Sequence, residues 1–240
     1  SHGPDITCRM QRYEQDAPRL ALQAGTHALD DAGVNPASVT HLVTVSCSGF
    51  MAPGVDIHLI KSLGLAPTTQ RVHVGFMGCH GALNGIRTAR GITESQPDAV
   101  VLLCAVELCS LHYHYATSSE QLVANALFAD GAAAMVFGGA AVTPGASAHW
   151  QVRDTASCLI PDSEEAMSWR VRTHGFVMTL SREVPGLIEG HLRPWVEGWL
   201  ESHSLRLTDI KSFAVHPGGP KILDSVATAL TLDNTALSVS

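Results

Sequence analysis

Apolar positions along the chain change period several times, and the changes outline the elements. From Glu14 to Ala32, the residues Leu20, Ala21, Ala24, Ala28 and Leu29 recur at helical spacing, and Gly33 supplies a stop. His41–Cys47 (HLVTVSC) reads as a strand, Val55–Leu63 as a short helix closed by Gly64, and Arg71–Phe76 as a second strand. Gly81–Gly91 predicts a helix that Gly85 weakens in its middle. Ala99–Val106 (AVVLLCAV) is continuously apolar, as in a strand buried on both faces. Ser118–Leu127 reads as a helix, and Ala132–Phe137 as a strand entered through an Asp130-Gly131 turn. Trp150–Ile160 reads as a longer strand region. Val184–Leu200 predicts an amphipathic helix that Pro194 should kink or split. Lys211–Val215 is a short strand, and Pro220–Leu230 is a helix with proline in its first turn. This alternation predicts an α/β protein with a largely parallel sheet, and Pro144-Gly145-Ala146-Ser147 is the best break between halves.

Composition narrows the function classes. The 240 residues suffice for one large α/β domain or two small ones, and 45% apolar content places the chain among globular proteins. Its 15 basic and 22 acidic residues give a net charge of −7. No lysine or arginine cluster offsets that charge, so nucleic acid is disfavoured as a partner, while an anionic small molecule stays open. No apolar run reaches membrane-spanning length and no signal-like start is present, so the expected compartment is the cytosol. The 6 cysteines lack CxxC spacing and are expected to be mostly free, small apolar residues. None of the 13 histidines stands at metal-ligand spacing, which disfavours a metal site.

Candidate chemistry begins at Gly75–Gly85, GFMGCHGALNG. Cys79 lies between glycines where a strand hands over to a helix. A helix N-terminus stabilises a thiolate by roughly 0.3–1 kcal/mol at exposed sites, and Gly78 and Gly81 leave room for a carbonyl. The local pattern fits a nucleophile or a buried cysteine in a tight turn; it is not the GxSxG elbow. A base is offered by His216 in VHPGGP, at a strand end beside a rigid turn, although a histidine there also suits a polar loop.

Five stretches then occur in order: GCHGALNGIRTA around Cys79, ALFADGAAAMVFG from Ala126, IPDSEEAM from Ile160, GFVMTLSREVP from Gly175 and HPGGPKILD from His216. Together they resemble the type III polyketide synthases, the chalcone and stilbene synthase family of the thiolase superfamily. The resemblance implies a thiolase-like layered αβαβα fold, incomplete at both ends. Residues 1–143 would form the half with the nucleophile, and residues 144–240 the start of the half with the histidine. Cys79 would take an acyl group from an acyl-CoA starter, and His216 would hold the thiolate and then assist malonyl-CoA decarboxylation. Neither a metal nor a redox cofactor is implied. The family's triad asparagine lies in a loop that has no counterpart here, and Asn234 does not fill that role. The chain resembles the middle of a longer enzyme and is not expected to complete the reaction alone.

The same resemblance places Phe128 and Met178 as gatekeepers and Cys109, His112 and Trp169 along the substrate cavity, with Gly218 and Gly219 as open backbone beside it. For His112 a solvent-facing position is the competing reading. Family members are homodimers, and the loop Gly49–Gly54 is expected near that interface. Three other readings compete: a ketoacyl-ACP synthase III-like enzyme, a truncated non-catalytic acyl-CoA-binding protein, and a thiol hydrolase using Cys79 and His216.

Overall fold

The apolar run near residue 100 is the centre of a four-stranded sheet. Its strands are β1 (His41–Ser46), β2 (Gln70–Gly75), β3 (Val100–Leu108) and β4 (Asp130–Gly138), in the spatial order β2-β1-β3-β4. β1 pairs in parallel with both β2 and β3, and β4 adds antiparallel to β3. The computed structural model describes residues 3–115, 119–139, 150–233 and 235–237. They fall into two compact units. The first lies within residues 1–115, 128–153 and 171–176, and the second within 116–127, 154–170 and 177–240. The expected break at Pro144–Ser147 lies outside the described residues, as does Asn234.

Helices cover both faces of the sheet. α1 (Ile6–Ala32) and α2 (Val55–Leu63) pack on one face and α3 (Gly81–Ser95) on the other. Side chains alternate along each strand, so Leu42, Leu102, Cys104 and Val106 join the α1 side while Val43, Val45, Val101 and Leu103 join the α3 side. Burying one such leucine stabilises the fold by roughly 1.5–3 kcal/mol. Two-sided burial is why β3 carries no polar residue until Glu107.

Several elements differ from expectation. α1 begins eight residues earlier than Glu14, with the Asp5 carboxylate accepting from Cys8 N–H at 2.9 Å as its N-cap. Its early turns bury Arg9 and Tyr13, polar residues that hydrophobic periodicity does not count. Asp130 and Gly131 belong to β4 rather than to a turn, because pairing with β3 extends to Leu108↔Asp130. In the second unit, α4 (Ser119–Leu127), α5 (Val184–Ser202) and α6 (Pro220–Leu230) form, and α5 runs unbroken through Pro194. Proline forfeits one backbone bond, and packing of α5 on α6 offsets that loss. Trp150–Ile160 and Lys211–Val215 are irregular rather than strands and belong to neither sheet of the described residues. A hairpin instead joins β5 (Met167–Arg172) to β6 (Gly175–Leu180).

Candidate active site

β2 ends at Gly75, a short 3₁₀ turn covers Gly78–His80, and α3 starts at Gly81. Cys79 therefore occupies a strand-to-helix turn, and its residue surface is exposed. Gly78 has φ +69°, a left-handed conformation that favours glycine, and a Cβ there would meet nothing within 4 Å. Gly81 serves packing rather than substrate access. A Cβ on it would lie 2.9 Å from Val45 Cγ1, and one on Gly85 would lie 2.6 Å from Leu103 Cδ1. These glycines let α3 settle onto β1 and β3. The glycine that weakens the helix in isolation is the one that seats it.

The electrostatics around Cys79 run against the sequence expectation. Although the residue surface is exposed, protein mass around the sulfur pushes the thiol pKa up, and the Glu107 carboxylate pushes it further. The backbone N–H of Cys79 itself acts in the opposite sense but does not reverse the direction.

Glu107 is the residue that sequence reading missed. Its carboxylate accepts from Cys47 N–H at 2.8 and 3.0 Å, from Ser48 N–H at 2.8 Å and from Ser48 Oγ–H at 2.6 Å. Leu108 N–H in turn donates to Ser48 Oγ at 2.7 Å. Burial raises the Glu107 pKa, while the Ser48 and Cys47 donors oppose that rise. Cys47 also points its Sγ at Gly78 O, 3.7 Å away. Cys47, Cys79 and Cys109 each follow the carboxyl end of one of three adjacent strands, β1, β2 and β3. Ligands in open α/β sheets bind outside such ends. The one available signal was a lone charge terminating an otherwise apolar strand.

Two cavity candidates of the first unit are now placed. Cys109 is half-buried, and burial followed by Glu107 and Asp130 pushes its thiol up to about 12, so it stays neutral. His112 neither faces solvent nor offers a nitrogen to a ligand. It is 4% exposed, its Nε2–H donates to Ser48 O at 2.5 Å, and its Nδ1 accepts from Phe176 N–H at 2.9 Å. The Phe176 ring stacks on it at 4.0 Å. Burial lowers its pKa to about 4, so the imidazole is neutral and acts as a brace. Phe128 is half-buried, in the short link that leads into β4.

The other candidates lie in the second unit. His216 is exposed, and its carbonyl accepts from Gly218 N–H at 2.9 Å. A Cβ on Gly218 would stand 3.7 Å from the His216 ring, so the bare Gly218 backbone flanks the imidazole. Gly219, with φ +126°, leads into α6. Met178 and Trp169 are half-buried on β6 and β5. The two-residue Thr173-His174 link and the 2.6 Å Ser168–Thr179 hydroxyl bond set them opposite one another in the hairpin. Among the described residues, no group of three or more His, Cys, Asp or Glu is placed to hold a metal ion, and no helix is long and apolar enough to cross a membrane.

Solved structures share this architecture. One, PKS-I from the brown alga Ectocarpus siliculosus, superposes with a TM-score of 0.90 at 29% identity, covering 97% of this chain and 62% of that one. The fold is therefore thiolase-like α/β, with a cysteine-bearing turn at the carboxyl end of its parallel strands. Sequence comparison carries the assignment further. Residues 1–141 match the N-terminal domain of the chalcone and stilbene synthases, and residues 151–240 match the C-terminal domain. The chain belongs to that family, the type III polyketide synthases. It is 35% identical over 229 residues to the alpha-pyrone synthesis polyketide synthase-like Pks18 of Mycobacterium tuberculosis, covering 94% of this chain and 58% of that protein. It is 38% identical over 223 residues to 1,3,6,8-tetrahydroxynaphthalene synthase of Streptomyces peucetius, covering 92% and 59% respectively. The chain thus spans less than two thirds of the length of these relatives.

Proposed function

We propose that this chain carries the nucleophile and histidine of an acyltransferase that condenses an acyl-CoA starter with malonyl-CoA. The observation that carries the reading is Cys79 in an open, glycine-flanked turn at the start of α3, in a chain of this family. The Cys79 sulfur attacks the starter thioester carbonyl and coenzyme A leaves. Malonyl-CoA then loses carbon dioxide, and its enolate carbon attacks the Cys79 thioester, which lengthens the acyl chain by two carbons and frees the sulfur. In this reading His216 is the cationic partner of the Cys79 thiolate, and afterwards donates to the enolate oxygen. Preorganised donors of this kind are worth about 3–4 kcal/mol each. Phe128, Met178, Trp169 and Cys109 border the acyl path in this reading, with Gly218 and Gly219 beside the imidazole, and residues 1–143 and 144–240 are its two thiolase-like halves.

The active form is proposed as a cytosolic homodimer. Support comes from β2, an edge strand among the described residues, which exposes Val72, with Phe76 and Met77 exposed just after it. The test is acyl loading followed by intact-protein mass spectrometry with a panel of acyl-CoA starters, then product analysis after adding labelled malonyl-CoA. Cys79→Ala is expected to abolish loading, while Cys104→Ala, whose sulfur is buried beside α1, leaves it largely intact. Equal loading of the Cys79 variant would sink the assignment, and loading without carbon dioxide release would favour a non-catalytic acyl-CoA-binding protein.

A further inference from the structure

Glu107 has no part in the mechanism above, yet it is the most heavily bonded carboxylate among the described residues of the first unit, and one of its partners touches the nucleophile turn. It clamps the Cys47–Ser48 turn through three donors, and one of those residues, Cys47, aims its thiol at the carbonyl of Gly78. That carbonyl belongs to the peptide entering Cys79. The carboxylate thus grips the ends of β1 and β3 together, and one side chain further on touches the turn after β2. We propose that Glu107 is a positioning residue for Cys79: through Cys47 it fixes the nucleophile turn, and it places a carboxylate that accepts from three donors beside that turn. The inference rests on Cys79 as the nucleophile.

The surroundings agree. The titratable groups around this carboxylate are Tyr13 from α1, Cys47 after β1, Cys79 before α3 and Cys109 after β3, and Glu107 contributes to the upward displacement of all four. Asp130 on β4 adds a second negative group next to Cys109. None of these four side chains is cationic, and His80 follows Cys79 in the same turn.

The experiment is iodoacetamide alkylation across a pH series, with each cysteine peptide read by mass spectrometry on the folded protein. Cys158, exposed and in the other unit, serves as internal reference. Glu107→Gln keeps the shape and removes the charge. Cys79 in that variant is expected to react several-fold faster at pH 7 than in wild type, with its profile moved to lower pH and Cys158 unchanged. An unmoved Cys79 profile would overturn the proposal. Glu107→Asp keeps the charge and shortens the clamp, so its Cys79 rate should stay at or below wild type. A several-fold rise there would overturn the proposal as well, and this variant decides the matter if Glu107→Gln does not fold. Alkylation needs no substrate, so this result stands apart from the loading assay: failure of one reading is distinguishable from failure of the other.

Discussion

His112 illustrates how a residue near a reactive turn can serve geometry rather than chemistry. Both of its ring nitrogens are spent on backbone groups, one from Ser48 and one from Phe176, which ties the turn after β1 to the β6 end of the hairpin. Its folded pKa of about 4 lies below the ordinary histidine value of 6.5. The unfolded chain therefore binds the extra proton first as pH falls. Stability from this group is full above about pH 6.5 and is lost as pH drops toward 4, by about 3 kcal/mol at most. Urea unfolding of wild type between pH 7 and 4 should show that decline, and His112→Gln should show a shallower one; parallel slopes would remove His112 as its source. Residue-level chemistry was partly legible beforehand. Cys79 and His216 stand out because glycines and prolines bracket them, and bracketing survives in a one-dimensional string. Glu107 does not stand out, because its value comes from three donors that lie 59 and 60 positions away.

At the scale of elements, the α3 helix shows why local propensity misleads. Gly85 is poor for a helix, yet its missing side chain is what admits Leu103 and Val45 to the helix surface. Gly91 lies on the same helix, exposed, and a Cβ added there would meet nothing within 4 Å. Opposite outcomes follow from the same substitution. Gly91→Ala should stabilise by roughly 0.5–1 kcal/mol, through helix propensity and a less disordered unfolded chain. Gly85→Ala should destabilise by about 1–3 kcal/mol, because overpacking outweighs that gain. Thermal melts of the two variants, compared with wild type, check both signs. Elements with a local stop were readable almost to the residue: Val55–Leu63 ends where Gly64 turns left-handed at φ 72°. Elements defined by a partner were not. The apolar content of 150–160 and 211–215 resembles that of β1, but a strand is a pairing, and no pairing is written in a single segment. The β5–β6 hairpin carried a period-two signal in MSWRVR, which the motif content of the following stretch obscured.

For the whole molecule, the proposed chemistry draws on both units: Cys79 belongs to one and His216 to the other. The proposed dimer rests on β2, the edge of the sheet among the described residues, where Val72 is 39% exposed in mid-strand. Val72→Lys places a charge there, a common way of blocking edge pairing. Light scattering after gel filtration should find wild type at twice the chain mass and the variant shifted toward the single chain; a wild-type monomer would remove the dimer. The hairpin has a consequence of its own. Trp169 and Met178 share one rung, so the room left beside them is a joint quantity rather than two separate ones. A bulky indole can be traded against a slimmer neighbour, or the reverse, at constant total volume. If that rung borders the growing acyl chain as proposed, paired exchanges at these two sites would retune which products fit, with the thiol and the imidazole untouched.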